Sequence, residues 1–254
     1  MGAIIMEGDV GTPASGVIAQ VDPAADTETK ICTLTAPFDL TIKELNWTFG
    51  NLVNAKAATG YLEVKTSTGK VPYRYPIGFG VGGATNASNQ KKASLDVAIP
   101  IDKGEVVDFY MTLNEAAEGA FIGFKFDKGK TGRPTHGDCN TVEDAAVSAD
   151  TLTDFTEITI PPGMSGRIKK ILVAYANVVD AKSVGGYVDL GFSESKGRHR
   201  YVVGGGVGGA ATTSHSCAAE EIDVDIPINA GDVVTPKLYL AEAAVNAHVG
   251  IVWV

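Results

Sequence analysis

The chain has 254 residues, 44% of them hydrophobic and 20% charged, with 30 glycines. That is the composition of a globular, turn-rich protein, long enough for one large domain or two small ones. The net charge of −9 is shared by both halves with no basic stripe, which argues against nucleic acid as a partner. Cys32, Cys139 and Cys217 stand far apart with no C-x-x-C, so a disulfide framework is not expected.

In chain order, residues 1–29 form a polar leader. Its opening, "MGAIIMEGDVGTP", lacks the basic start and apolar core of a secretory signal. No run approaches the length of uncharged apolar residues that crosses a bilayer, so no membrane span is expected. Period-two alternation with β-branched and aromatic residues then predicts strands over 30–35, 40–49, 60–66, 71–80, 94–101, 106–113 and 121–126. Asp102-Lys103-Gly104 reads as a tight turn with glycine in the left-handed position. "NEAAEGA" (114–120) and "AEAAVNA" (241–247) are too short to stand as helices and read as decorations between strands. Residues 127–150 are polar, turn-rich and without period, as a linker is.

After the linker the chain is written a second time. Laid over the first half, the second brings Ile168-Lys169 onto Ile42-Lys43, Gly186-Tyr187 onto Gly60-Tyr61, and Arg200-Tyr201 onto Arg74-Tyr75. After a one-residue slip, "IPINAGDVV" (226–234) lies over "IPIDKGEVV" (99–107), and "LAEAAVNA" over "LNEAAEGA". This unit is far longer than the roughly 20–50 residues of a solenoid repeat, so it reads as a tandem domain duplication. The expected architecture is all-β: two duplicated antiparallel β-sandwiches, whose periodicity alone does not separate an immunoglobulin-like from a jelly-roll connection and whose long strands and broad loop after Gly80 lean toward the jelly roll. The first covers 1–128 with its repeat unit at 31–126, a linker covers 129–150, and the second sandwich covers 151–254.

Two matching runs, "GFGVGGA" (78–84) and "GGGVGGA" (204–210), fit the G-x-G-x-x-G spacing of a dinucleotide loop. Such a loop needs a helix at its last glycine to receive the pyrophosphate. Here a Ser/Thr/Asn-rich loop and another strand follow instead. Gly80, Gly82, Gly83, Gly206, Gly208 and Gly209 are therefore read as structural corners, and no cofactor is expected.

"HGDC" (136–139) and "HSC" (215–217) hold residues that zinc accepts, but their spacing suits tetrahedral closure poorly, and no metal site is expected. Glu220, Glu221, Asp223 and Asp225 alternate along one strand and read as a solvated edge or interface. Lys91 and Lys92 occupy the comparable neighbourhood in the first copy, so these four residues, Lys91, Lys92, Glu220 and Glu221, are candidates for charge pairing between subunits. Trp47 and Trp253 sit in apolar runs and read as core. No G-x-S-x-G and no H-E-x-x-H occur, and the chain is not expected to be an enzyme.

The duplication, the strand pattern and the polar linker together resemble the double jelly-roll major capsid proteins of tailless icosahedral viruses of bacteria and archaea. The resemblance implies a homotrimer whose six sandwiches give a pseudo-hexagonal outline, with the chain itself as partner and the virion capsid as location. A tube, filament or surface-layer subunit built from the same unit is the near alternative. A jelly-roll carbohydrate-binding module is the more distant one.

Overall fold

In the computed structural model, residues 14–17, 21–50, 58–69, 73–79, 93–114, 116–141, 147–177, 184–192, 198–205 and 216–254 are described. The first half supplies β1 (Ala14–Val17), β2 (Thr29–Thr35), β3 (Leu40–Gly50), β4 (Ala58–Thr66), β5 (Arg74–Phe79), β6 (Ala93–Ile101), β7 (Val106–Leu113) and β8 (Glu118–Lys128). They form two four-stranded antiparallel sheets, β1-β8-β3-β6 and β2-β7-β4-β5. The second half supplies β9 (His136–Thr141), β10 (Thr151–Asp154), β11 (Ile158–Thr159), β12 (Gly166–Asn177), β13 (Val184–Phe192), β14 (Arg198–Gly205), β15 (Ser216–Ile228), β16 (Val233–Leu240) and β17 (Ala244–Trp253). Its sheets are β9-β17-β12-β15 and β10-β16-β13-β14, with the short β11 also on β16.

The two connectivities are the same. In the first half the strands pair β1 with β8, β2 with β7, β3 with β6 and β4 with β5. The second half repeats this with β9, β10 and β12 to β17 in the corresponding places. Local detail repeats as well. The matched Ile-Lys pairs fall on a register shift in each copy, between Ile42 and Glu44 in β3 and between Ile168 and Lys170 in β12. One extra residue is absorbed there, which bends the strand and strengthens its twist.

Strand alternation places the cores. In β7, Val107, Phe109, Met111 and Leu113 are fully buried between polar or half-exposed neighbours. Phe109 stacks across the sandwich on Phe124 of β8, with centroids 5.2 Å apart. The second core gathers Ile171, Val173, Tyr175, Leu238, Ile251 and Trp253. Each side chain of this size contributes about 1.5–3 kcal/mol on burial. Trp47 and Trp253 are both core residues, at 7% and 1% exposure.

Two readings of the sequence change. Residues 129–150 contain a strand, β9, which pairs with β17 along His136–Trp253 to Thr141–His248. It takes the place that β1 takes beside β8, so the segment holds the first strand of the second sandwich. "HGDCNT" is short, polar and carries a glycine, which hides its period of two. The alanine-rich segments also lie partly in strands, since β8 starts at Glu118 and β17 at Ala244. No helix occurs among the described residues, and none is long and apolar enough to cross a membrane.

The turn expected at 102–104 is present and has a twin. Gly104 and Gly231 take φ of +84° and +83°. In each turn the following acid accepts from the first amide: Glu105 Oε2 from Asp102 N at 3.0 Å, Asp232 Oδ2 from Asn229 N at 2.6 Å. A Cβ in that backbone region is strained whatever space surrounds it. Gly104→Ala and Gly231→Ala should each cost about 1 kcal/mol in denaturant unfolding. Gly185→Ala, whose Cβ would meet nothing within 4 Å, should fall within experimental scatter of the parent.

Candidate assembly interface

Sheet β9-β17-β12-β15 is buried on both faces along β17 and the middle of β12. Along β17, Val249, Ile251 and Trp253 enter the second core, while Val252 joins Leu172 of β12 in the core cluster of the first sandwich. The element that covers this outer face is the β5 edge of sheet β2-β7-β4-β5, with β4 beside it. An edge strand needs cover against stray pairing, and proline, which has no N–H, is tolerated there. β5 carries Pro76, which is buried in this contact.

Approach this close demands small residues underneath. A Cβ on Gly250 would lie 2.7 Å from Pro76 Cδ and 2.8 Å from Cys139 Cβ, and one on Gly137 would run into the Tyr75 ring. Aromatic contacts flank the glycines. Tyr61 meets His248 edge-on at 6.4 Å, and Tyr73 stacks on His136, which also packs against Trp253 at 5.8 Å.

A polar cluster sits on β4 and β5 at the seam. Glu63, 7% exposed, holds Arg74 Nε at 3.0 Å, and Arg74 lies over the Tyr61 ring at 5.8 Å. Burial raises the Asp138 carboxyl above its ordinary range, partly offset by Arg74 across the seam. Burial also pushes His248 down to about 4 and lowers His136.

The second sandwich builds the same cluster on β13 and β14. Asp189 binds Arg200 at 3.0 Å, and Arg200 lies 4.1 Å over Tyr187, which stacks on Tyr239 at 4.9 Å. The registers coincide: Tyr61 faces Pro76 and Glu63 faces Arg74 in one copy, Tyr187 faces Val202 and Asp189 faces Arg200 in the other. The surroundings differ. Pro76 is buried, whereas Val202 is 85% exposed.

The candidate residues from the sequence are placed as follows. Gly80, Gly82, Gly83, Gly206, Gly208, Gly209, Lys91 and Lys92 lie outside the described residues, as does His215. β5 ends at Phe79 and β14 at Gly205, so both glycine runs start at a strand end. Glu220 and Glu221 lie on β15 and have partners within the chain: Glu220 accepts from Gly204 N at 2.7 Å, and Glu221 pairs with Lys170 at 2.6 Å. Asp225 binds Arg167 and Lys169, and Arg167 above all holds its carboxyl down at about 2. The acidic face of β15 is thus met by a basic face on β12, as cross-strand pairing favours.

Glu220 and Glu221 also line a cleft of about 120 Å³ with Trp47, Ile77, Ser94 and Leu172, well below the volume of a cofactor pocket. His136 and Cys139 share β9, with Cys139 against Gly250 and His136 against Trp253. Among the described residues no three His, Cys, Asp or Glu come together as a metal group. Burial pushes the Cys32 thiol up to about 12 and raises Cys139 further, so both are packing groups rather than nucleophiles.

No family model matches the chain. No curated protein matches it either. Among the solved structures with a coarse likeness are two that span nearly the whole chain. One is the crystal structure of PBSX exported protein XepA, at 7% identity, covering 98% of this chain and 89% of that one, with a TM-score of 0.29. The other is the N-terminal CBM22-1-CBM22-2 tandem domain of Xyn10C from Paenibacillus barcinonensis, at 11% identity, covering 96% and 91%, with a TM-score of 0.24. At such scores neither carries an argument.

The cluster of tyrosine, acid and arginine was within reach of sequence reading. Gly-Tyr and Arg-Tyr are matched pairs of the repeat, and an acid stands two residues after the tyrosine in both copies. What the sequence lacks is the seam itself, because the small residues that admit Pro76 come from β9 and β17, far apart in the chain.

Gly250→Val should destabilise the whole chain by roughly 1–3 kcal/mol through overpacking against Pro76, read as a lower thermal midpoint. A second test concerns acid. His248 is held near 4 while an unfolded histidine titrates near 6.5, so the unfolded state binds the proton first. Stability contributed by neutral His248 is complete above pH 6.5 and declines as pH falls toward 4, by up to about 3 kcal/mol. His248→Phe, the residue found at the matching place in the first copy, should flatten the unfolding free energy across that window.

Proposed function

We propose that this chain is a self-assembling structural protein, a viral major capsid subunit that forms pseudo-hexagonal homotrimers. The observation that carries the reading is the seam between the sandwiches. One copy of the fold recognises the outer face of another copy, through a proline-bearing edge on a glycine-lined sheet. A unit that packs on itself in this way is suited to tiling.

The strand order adds support. Pairing the first strand with the eighth, the second with the seventh and so on is what a long hairpin wrapped into two sheets produces. It favours reading each sandwich as a jelly roll, an architecture that capsid domains share. The described residues with perturbed thiols and imidazoles are engaged in packing, which leaves structure rather than chemistry as their role.

A second reading, a carbohydrate-binding module, draws on the stacked Tyr187 and Tyr239 rings on the outer sheet. Arg200 lies over one of them, so the pair is less open to a sugar than a bare aromatic platform. Glycan-array binding by the unassembled protein would favour that reading over the first.

The purified protein should form trimers or larger discrete assemblies by light scattering, and electron microscopy should resolve shells, tubes or sheets. A species that stays monomeric at high concentration overturns the proposal.

A further inference from the structure

The seam uses one inserting edge and one receiving face, and the duplication makes two of each. Inside the chain, the edge of the first sandwich (Tyr61, Glu63, Arg74, Pro76) covers the face of the second (Leu172, His248, Gly250, Val252). Among the described residues, no strand of the other sandwich covers the edge of the second, β13 and β14, or the face of the first, sheet β1-β8-β3-β6.

The leftover edge keeps the geometry of the used one. Tyr187, Asp189, Arg200 and Val202 stand where Tyr61, Glu63, Arg74 and Pro76 stand, in the same register and with the same arginine over the same ring. Val202, in the place of the inserted proline, is an apolar side chain at 85% exposure. It stands on an edge strand, and native sheets ordinarily cover or blunt such edges.

The leftover face keeps the key feature of the used one. Laying "FIGFKF" (121–126) over "HVGIVW" (248–253) puts Gly123 where Gly250 lies. The strand neighbours agree: Gly250 is flanked by Leu172 and Cys139, Gly123 by Asn46 and Val17. On this face Phe121, Gly123, Lys125 and Thr48 are each half-buried, and Asn46 beside Gly123 is buried.

We infer that the β14 edge of one copy docks on the β1-β8-β3-β6 face of a second copy, with Val202 over Gly123 and Tyr187 against Phe121. The occupant is a second copy of this chain because the matching edge, β5, packs on the same kind of face within the chain, and the new contact continues that seam. It rests on the self-assembly reading above and names its surfaces. Such a contact is heterologous: each copy uses its edge on one neighbour and its face on the other, which closes a ring if the rotation permits and otherwise runs into a helix.

The full-length chain tests this. Val202→Asp places a charge in the contact but lies at the surface, so the thermal midpoint of the isolated chain should not move. The concentration needed for half assembly should rise about tenfold or more. In a Cys217→Ser background, Val202→Cys mixed with Gly123→Cys should yield a disulfide-linked dimer joining one variant to the other, and neither variant alone should crosslink. Loss of assembly together with the mixed crosslink supports the inference. Parent chain that assembles, with Val202→Asp assembling equally well and no mixed crosslink, overturns the inference and leaves self-assembly standing. Parent chain that never assembles overturns both.

Discussion

Everything at the centre of this molecule follows from how near Pro76 comes to Gly250. A sheet whose two faces are both buried cannot follow the apolar-in, polar-out alternation of an ordinary sandwich strand. β17 shows the consequence. Its inward residues, Val249, Ile251 and Trp253, fill a core, and its outward ones, His248, Gly250 and Val252, are buried too. The glycine is what brings the other sandwich within packing distance. With a side chain there, Pro76 would be held away and Leu172 and Val252 would lose their places in the neighbouring core.

The polar groups at this seam are arranged to tolerate the same closeness. Glu63 and Arg74 neutralise each other before the second sandwich is met, and Asp138 comes to them from β9 with its carboxyl pushed toward the neutral form. A charge left alone at such depth would be costly. The pair made in advance on β4 and β5 is repeated as Asp189 and Arg200 on β13 and β14. It therefore belongs to the sandwich rather than to the seam, and is carried in whether or not a partner covers it.

Much of the fold is written locally, and that part is legible. The seven strands expected in the first copy fall within a few residues of β2 to β8, because alternation such as Val107, Phe109, Met111, Leu113 needs no partner to be read. The left-handed glycines at 104 and 231 are legible from the turn alone. What fails to show is anything whose reason lies elsewhere in the chain. β9 reads as linker because His136, Gly137 and Asp138 answer to Tyr73, Tyr75 and Arg74 of the other sandwich. Glu220 and Glu221 look free to pair with a neighbour because Lys170 and the Gly204 amide come from other strands.

The differences between the two copies have a direction. The face covered within the chain is the more apolar: Leu172 and Val252 stand where the first copy has Asn46 and Lys125, the latter paired with Glu44. A covalent tether brings the two sandwiches together at high effective concentration, and the face it covers never meets water in the folded chain. It can be as apolar as a core. A face that must stay soluble until another molecule arrives is under the opposite pressure, toward polar groups and self-neutralised charge. Asn46 on that face is 7% exposed, with no hydrogen-bond partner for its Oδ1 among the described residues. The two copies share one connectivity, so the differences at these paired positions trace back to which face is buried within the chain.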